Sequence, residues 1–126
     1  MNVLQVIDQG YRTFVEEQDD TILWLTQSMC SAGANLTVLL SGHGVQYVVQ
    51  TQRQPALQIG AWHQEQPGDV TQDIKRLLDK GVSVYALRED LEDRGLNNLA
   101  VHPGVELIER NDLIDLYESV DQVWHW

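Results

Sequence analysis

Five short runs that read as strands, separated by polar turns and stretches of helical period, constrain this chain more than any other feature. They are Val3-Leu4-Gln5-Val6-Ile7, Leu36-Thr37-Val38-Leu39-Leu40, Val82-Ser83-Val84-Tyr85-Ala86-Leu87, Gly104-Val105-Glu106-Leu107-Ile108 and the terminal Asp121-Gln122-Val123-Trp124-His125-Trp126. Near-continuous apolar strands alternating with helices predict a parallel sheet covered on both faces. A chain of 126 residues with 43% hydrophobic content buries a core without staples and reads as one domain, 1–126.

The helical stretches carry their own signals. Asp19 and Asp20 stand at an N-cap position, Ile22, Leu23, Thr26, Met29 and Cys30 recur at helical spacing, and Gly33 closes that helix. A short helix is expected over Val45 to Val49. Asp69 to Lys80 has helical period through Val70, Ile74, Leu77 and Leu78, ending at Gly81. Arg88 to Arg94 predicts a short acidic helix closed by Gly95. Asn111 is expected to cap a last helix, Asp112 to Ser119, with Leu113, Ile114, Leu116 and Tyr117 on its apolar side. Tyr11 to Glu17 reads as a loop or short helix, and Thr51 to Gly68 as a long loop with Trp62 tucked against the body. The expected architecture is an α/β three-layer sandwich around about five parallel strands, flavodoxin-like in outline.

In such sheets, ligands and partners meet the loops at the carboxyl ends of the strands. Here those loops are Asp8-Gln9-Gly10-Tyr11, Ser41-Gly42-His43-Gly44, Arg88-Glu89-Asp90 and Glu109-Arg110-Asn111. The Gly42-His43-Gly44 turn offers backbone N–H groups to an anion and, in His43, a candidate general acid or base. It lacks the lysine of a Walker loop and the third glycine of a dinucleotide fingerprint, and as a tight turn with an exposed histidine it needs no function at all. Glu89, Asp90, Glu92 and Asp93 suit acid/base work only if two of them converge. Otherwise they read as a solvated helix start, favoured by the helix dipole.

Cys30 lies on the apolar stripe near the C-terminal end of its helix, where the dipole disfavours a thiolate. It reads as a core cysteine, with sulfur acceptance as its functional alternative. One cysteine forms no intramolecular disulfide, in keeping with a reducing compartment. His43, His63, His102 and His125 show no i, i+4 pair and no cysteine partner, so no metal site is expected. No cofactor is expected either. Trp124 and Trp126, on one side of the last strand, need a surface to cover them: the chain's own core or a neighbouring subunit.

Nineteen acidic residues against eight basic ones give a formal charge of −11. Such a field repels nucleic acid and anionic membrane surfaces. The absence of a long apolar run, and an N-terminal stretch without a basic n-region, predict a cytoplasmic protein.

The run Gly81-Val82-Ser83-Val84-Tyr85-Ala86-Leu87-Arg88-Glu89-Asp90-Leu91-Glu92-Asp93-Arg94-Gly95-Leu96 resembles the DsrE/DsrF/DsrH superfamily, which includes the Tus sulfur-relay proteins. The likeness extends through Leu39 to Val45, Gly104-Val105, the helix after it and a terminal strand ending in tryptophan. Catalytic DsrE and TusD-type subunits carry a persulfide-accepting cysteine in the loop after the third strand. Here that loop is Leu87-Arg88-Glu89-Asp90, without sulfur, as in the DsrH/TusB branch. The resemblance therefore implies a non-catalytic subunit that forms homo- or hetero-oligomers with DsrE-like subunits and takes part in sulfur relay or sulfur oxidation. No catalytic residue carries over. The alternative is a sulfur carrier or small-ligand binder using Cys30 or the Gly42-His43-Gly44 loop.

Overall fold

The computed structural model describes residues 1–10, 20–50, 52 and 54–126. The expectations for Tyr11 to Glu17 and for Asp19 lie outside the described residues. The elements are β1 (Asn2–Ile7), α1 (Thr21–Ser31), β2 (Asn35–Leu40), a 3-10 segment (Gly42–Val48), β3 (Gln58–Ile59), β4 (Trp62–His63) and α2 (Val70–Asp79). They continue as β5 (Ser83–Leu87), α3 (Arg88–Asp93), β6 (Glu106–Ile108), a second 3-10 turn (Arg110–Asp112), α4 (Leu113–Glu118) and β7 (Gln122–His125). Five strands form one parallel sheet in the order β6-β5-β2-β1-β7. The expected α/β sandwich is the observed one.

Topology assigns the faces. The chain steps from β1 through β2 and β5 to β6 in one direction, and right-handed crossovers put α1, the 3-10 segment, α2 and α3 on one face. The return from β6 to β7 reverses direction and puts α4 on the other. The core divides accordingly. Ile7, Val38, Leu40, Val84 and Ala86 pack with Ile22, Leu23, Tyr47, Ile74, Leu77 and Leu91. Leu4, Val6, Leu39, Leu87 and Ile108 pack with Leu113, Leu116 and Val120.

A polar chain crosses the first of these layers. Gln5, fully buried in β1, donates through Nε2 to Thr26 Oγ1 at 2.7 Å, and Thr26 Oγ1 donates to the Ile22 carbonyl at 2.8 Å. Trp126 Nε1 completes it by donating to Gln5 Oε1 at 2.5 Å. Every member is satisfied, so the buried amide does not carry a desolvation penalty.

Four expectations need correction. Residues within 51–68 form an antiparallel hairpin, Ile59 pairing with Trp62, and Trp62 is half exposed rather than tucked in. The short helix after β2 is a 3-10 segment that begins three residues early, at Gly42. Asn111 caps nothing: Glu109 caps the turn before α4, and its side chain and that of Asp112 satisfy each other's backbone N–H. The 3-10 turn shifts the phase of α4, so Ile114 and Tyr117 face solvent while Leu113 and Leu116 pack inward.

Candidate functional site

All four strand-end loops meet at the carboxyl edge of the sheet, tied by two carboxylates. Asp8, just past β1, accepts a hydrogen bond from the Ser41 hydroxyl through Oδ1, and its Oδ2 lies 2.7 Å from His125 Nε2 at the end of β7. Asp90, in the first turn of α3, accepts from the Gly42 N–H at 2.7 Å and from Arg110 Nη2 at 2.8 Å. The Arg110 N–H donates to Glu89 Oε2 at 2.8 Å. Asp90 is thus buried and bonded on both oxygens, not part of a solvated helix start.

Glycine is required at the hub. The Gly44 N–H donates to the Asp8 carbonyl at 3.2 Å and to the Ser41 carbonyl at 2.8 Å. A Cβ on Gly44 would collide with the Ile7 carbonyl oxygen and lie 3.0 Å from its carbon. Gly42 adopts φ +52°, and a Cβ there would approach the Asp8 carbonyl oxygen to 3.2 Å. The pattern Ser-Gly-His-Gly is the local consequence: the 3-10 segment starts in contact with the end of β1.

Serine, histidine and aspartate are all present, but in the wrong order for nucleophilic catalysis. The carboxylate sits between the other two, so Ser41 donates to Asp8 rather than to an imidazole. Burial raises the Asp8 pKa, but the hydrogen bonds from Ser41 and His125, with the charges of His125 and Arg94, outweigh it and hold the carboxyl below its ordinary 3.8. The folded chain therefore binds this proton less tightly than the unfolded one. Its contribution to stability is present above pH 3.8 and is lost as the pH falls through the lower, folded value. The Asp8 side chain is 42% exposed, so solvent screening keeps that contribution under about 1 kcal/mol. Urea unfolding of Asp8→Asn should show a shallower loss of stability below pH 3.8 than the parent. Parallel acid limbs would contradict the pairing.

The remaining sequence candidates scatter. His43 and Arg88 are exposed at the strand ends. Cys30 lies in the last turn of α1, which runs antiparallel to the strands and places it at the opposite edge of the sheet. Burial pushes its thiol up, against a hydrogen bond from the Leu36 backbone and the pull of Lys80. Trp126 packs on the chain's own core, and half-buried Trp124 donates to Gln122 Oε1 at 3.1 Å. Among the described residues, no three His, Cys, Asp or Glu side chains are placed to hold a metal ion. Among them also, no helix is long and apolar enough to cross a membrane.

The family model for DsrH-like proteins matches residues 58–123, just over half of the chain. The chain belongs to the DsrH-like family. The matched span starts at the hairpin and takes in α2, β5, α3, β6 and α4, so it includes the Arg88-Glu89-Asp90 loop but not Asp8 or Gly42-His43-Gly44. The fold of this DsrH-like chain is also that of the YchN protein from E. coli, with a TM-score of 0.72 over 100% of both chains at 18% identity. MTH1491, a protein of unknown function from Methanobacterium thermoautotrophicum, superposes with a TM-score of 0.69 over 99% of this chain and 98% of its own, at 13% identity. No curated protein matches the chain in sequence. The DsrE-like fold of these neighbours and the DsrH-like match agree with the resemblance read from Gly81 to Leu96.

Sequence reasoning named the strand-end loops but missed His125 as the partner of Asp8. That pairing depends on β7 lying beside β1, and no local signal encodes strand order.

Proposed function

We propose that this DsrH-like chain is a non-catalytic, cytoplasmic subunit of a sulfur-relay or sulfur-oxidation assembly, a single domain that works by association with DsrE-like subunits. The observation that supports this most is the state of the loop after β5. Where catalytic relatives carry an acceptor thiol, this chain has Arg88-Glu89-Asp90. Asp90 is buried against Gly42 and Arg110, and Glu89 accepts from the Arg110 backbone. Carboxylates held in this way brace loops and are not poised for proton transfer. His43 and Arg88, exposed on that braced edge, are the side chains a partner would touch.

The sulfur-carrier alternative has less support. A persulfide acceptor needs an accessible thiolate, whereas Cys30 has a raised pKa and sits at the far edge from the loops. Its labelling by a disulfide reagent at neutral pH should be roughly tenfold slower in the folded than in the unfolded chain. Equal rates would restore the alternative.

Light scattering on the purified chain, alone and co-expressed with a cysteine-bearing DsrE-type subunit, tests the association. The expected result is a particle heavier than 14.4 kDa in at least one of the two preparations. A monomer in both would overturn the proposal.

A further inference from the structure

A groove of about 390 Å³ runs between α4 and the β5–β6 edge, on the face opposite to α1, α2 and α3. Its apolar lining comes from Tyr85, Ile108 and Leu116, and its charged lining from Glu106, Asp112 and Asp115. Among the described residues β6 is the outermost strand, hydrogen-bonded to β5 along one edge, and no described strand pairs with its other edge, which can take a further strand. The surrounding sequence is one-sided in charge. From Gly104 to Trp126 the acidic residues are Glu106, Glu109, Asp112, Asp115, Glu118 and Asp121, against Arg110 alone among lysines and arginines.

Three kinds of occupant compete for such a groove. A divalent cation needs oxygen ligands converging to within about 2.6 Å of one point. Among the described residues no three carboxylates are placed to do so. A second copy would bring another chain of charge −11 against an already acidic lining. An extended chain carrying cationic side chains meets neither difficulty. Its backbone can pair with the open edge of β6, its alternate side chains can cover the apolar lining, and its cations can spread over carboxylates that do not converge.

We propose that this groove receives an extended, basic segment of a partner protein, added beside β6 as a further strand, with Lys or Arg side chains meeting Glu106 and Asp115. This goes beyond the proposed role in sulfur relay and does not depend on it.

Fluorescence anisotropy with a labelled, alternating Arg-Val hexapeptide tests the site. Wild type is compared with Glu106→Gln/Asp115→Asn and with Glu65→Gln/Glu92→Gln, a control pair of equal net charge elsewhere on the surface. Removing two exposed ion pairs from the groove should weaken binding roughly fivefold, and the control pair less than about twofold. All of these side chains lie on the surface, and unchanged thermal melts verify folding of both variants. Equal loss in the two variants would show that the peptide reads only the overall field and would overturn the proposal. So would no measurable binding to wild type. Self-association of wild type that the groove variant abolishes would seat a second copy there, and overturn it as well.

Discussion

Gly44→Ala is expected to destabilise the fold on the order of 4 kcal/mol, near the upper end for a single substitution. The backbone conformation at Gly44 is one any residue adopts, so conformational freedom is not the reason. The reason is the Ile7 carbonyl, which occupies the place where a Cβ would stand. Relief would require β1 and the 3-10 segment to separate. That separation would break the Gly44 N–H bond to the Asp8 carbonyl and the Ser41 N–H bond to the Ile7 carbonyl. For a domain of this size the loss corresponds to a fall of about 15 °C in melting temperature. Gly60→Ala is the contrasting variant. Gly60 has φ +59° in the hairpin turn and nothing near its would-be Cβ, so a backbone cost of about 1 kcal/mol is expected. A Gly44→Ala protein as stable as Gly60→Ala would mean that the first strand and the 3-10 segment do not approach as described.

Asp20→Ala is expected to cost about 3 kcal/mol, combining a lost helix cap with a lost acceptor for a buried hydroxyl. Asp20 Oδ1 accepts from the N–H groups of Ile22 and Leu23, both at 3.0 Å, at the start of α1. Its Oδ2 accepts from the Tyr47 hydroxyl, and its own N–H donates to Asp73 Oδ2 at 3.2 Å in α2. One buried residue thus joins the first helix and the 3-10 segment through its side chain, and the second helix through its backbone N–H. Tyr47→Phe removes only the hydroxyl and should cost about 1 kcal/mol. The double variant should cost less than the sum of the two, because both lose the same contact. Strict additivity would show that Asp20 and Tyr47 act separately.

The features legible in the sequence were those set by short-range periodicity. The apolar runs at Val3, Leu36, Val82 and Leu107 became strands because a buried parallel strand needs no alternation. Asp20, Gly33 and Asp69 marked helix ends because capping is local chemistry. Three kinds of feature lay beyond that reach. The hairpin at Gln58–His63 has two-residue strands with exposed side chains, too short to show a period. The phase of α4 depended on whether the chain after β6 began as an α-helix or as a 3-10 turn. Asn111 looks the better cap by type, but the reciprocal Glu109–Asp112 pair prevails.

The candidate site divides in the same way. Asp8, Gly42, Gly44, Asp90 and Arg110 were placed in the right loops, because strand ends of a parallel sheet share one edge. Their roles were not legible. The carboxylate-rich start of α3 looked solvated, yet Asp90 is the brace between β2 and β6. The terminal tryptophans called for cover by either the chain's own core or a neighbouring subunit, and Trp126 takes the first, bonding with Gln5, 121 positions away. Contacts at such separations are decided by strand order, which becomes visible only in the assembled sheet.

The proposal stands or falls on whether this DsrH-like chain accepts sulfur itself. The most direct test is the intact mass of the folded protein after incubation with a persulfide donor, beside a Cys30→Ser control. The expected result is an unchanged mass in both. A mass increase equal to one sulfur in the parent, absent from the control, would make Cys30 a carrier and contradict the proposal.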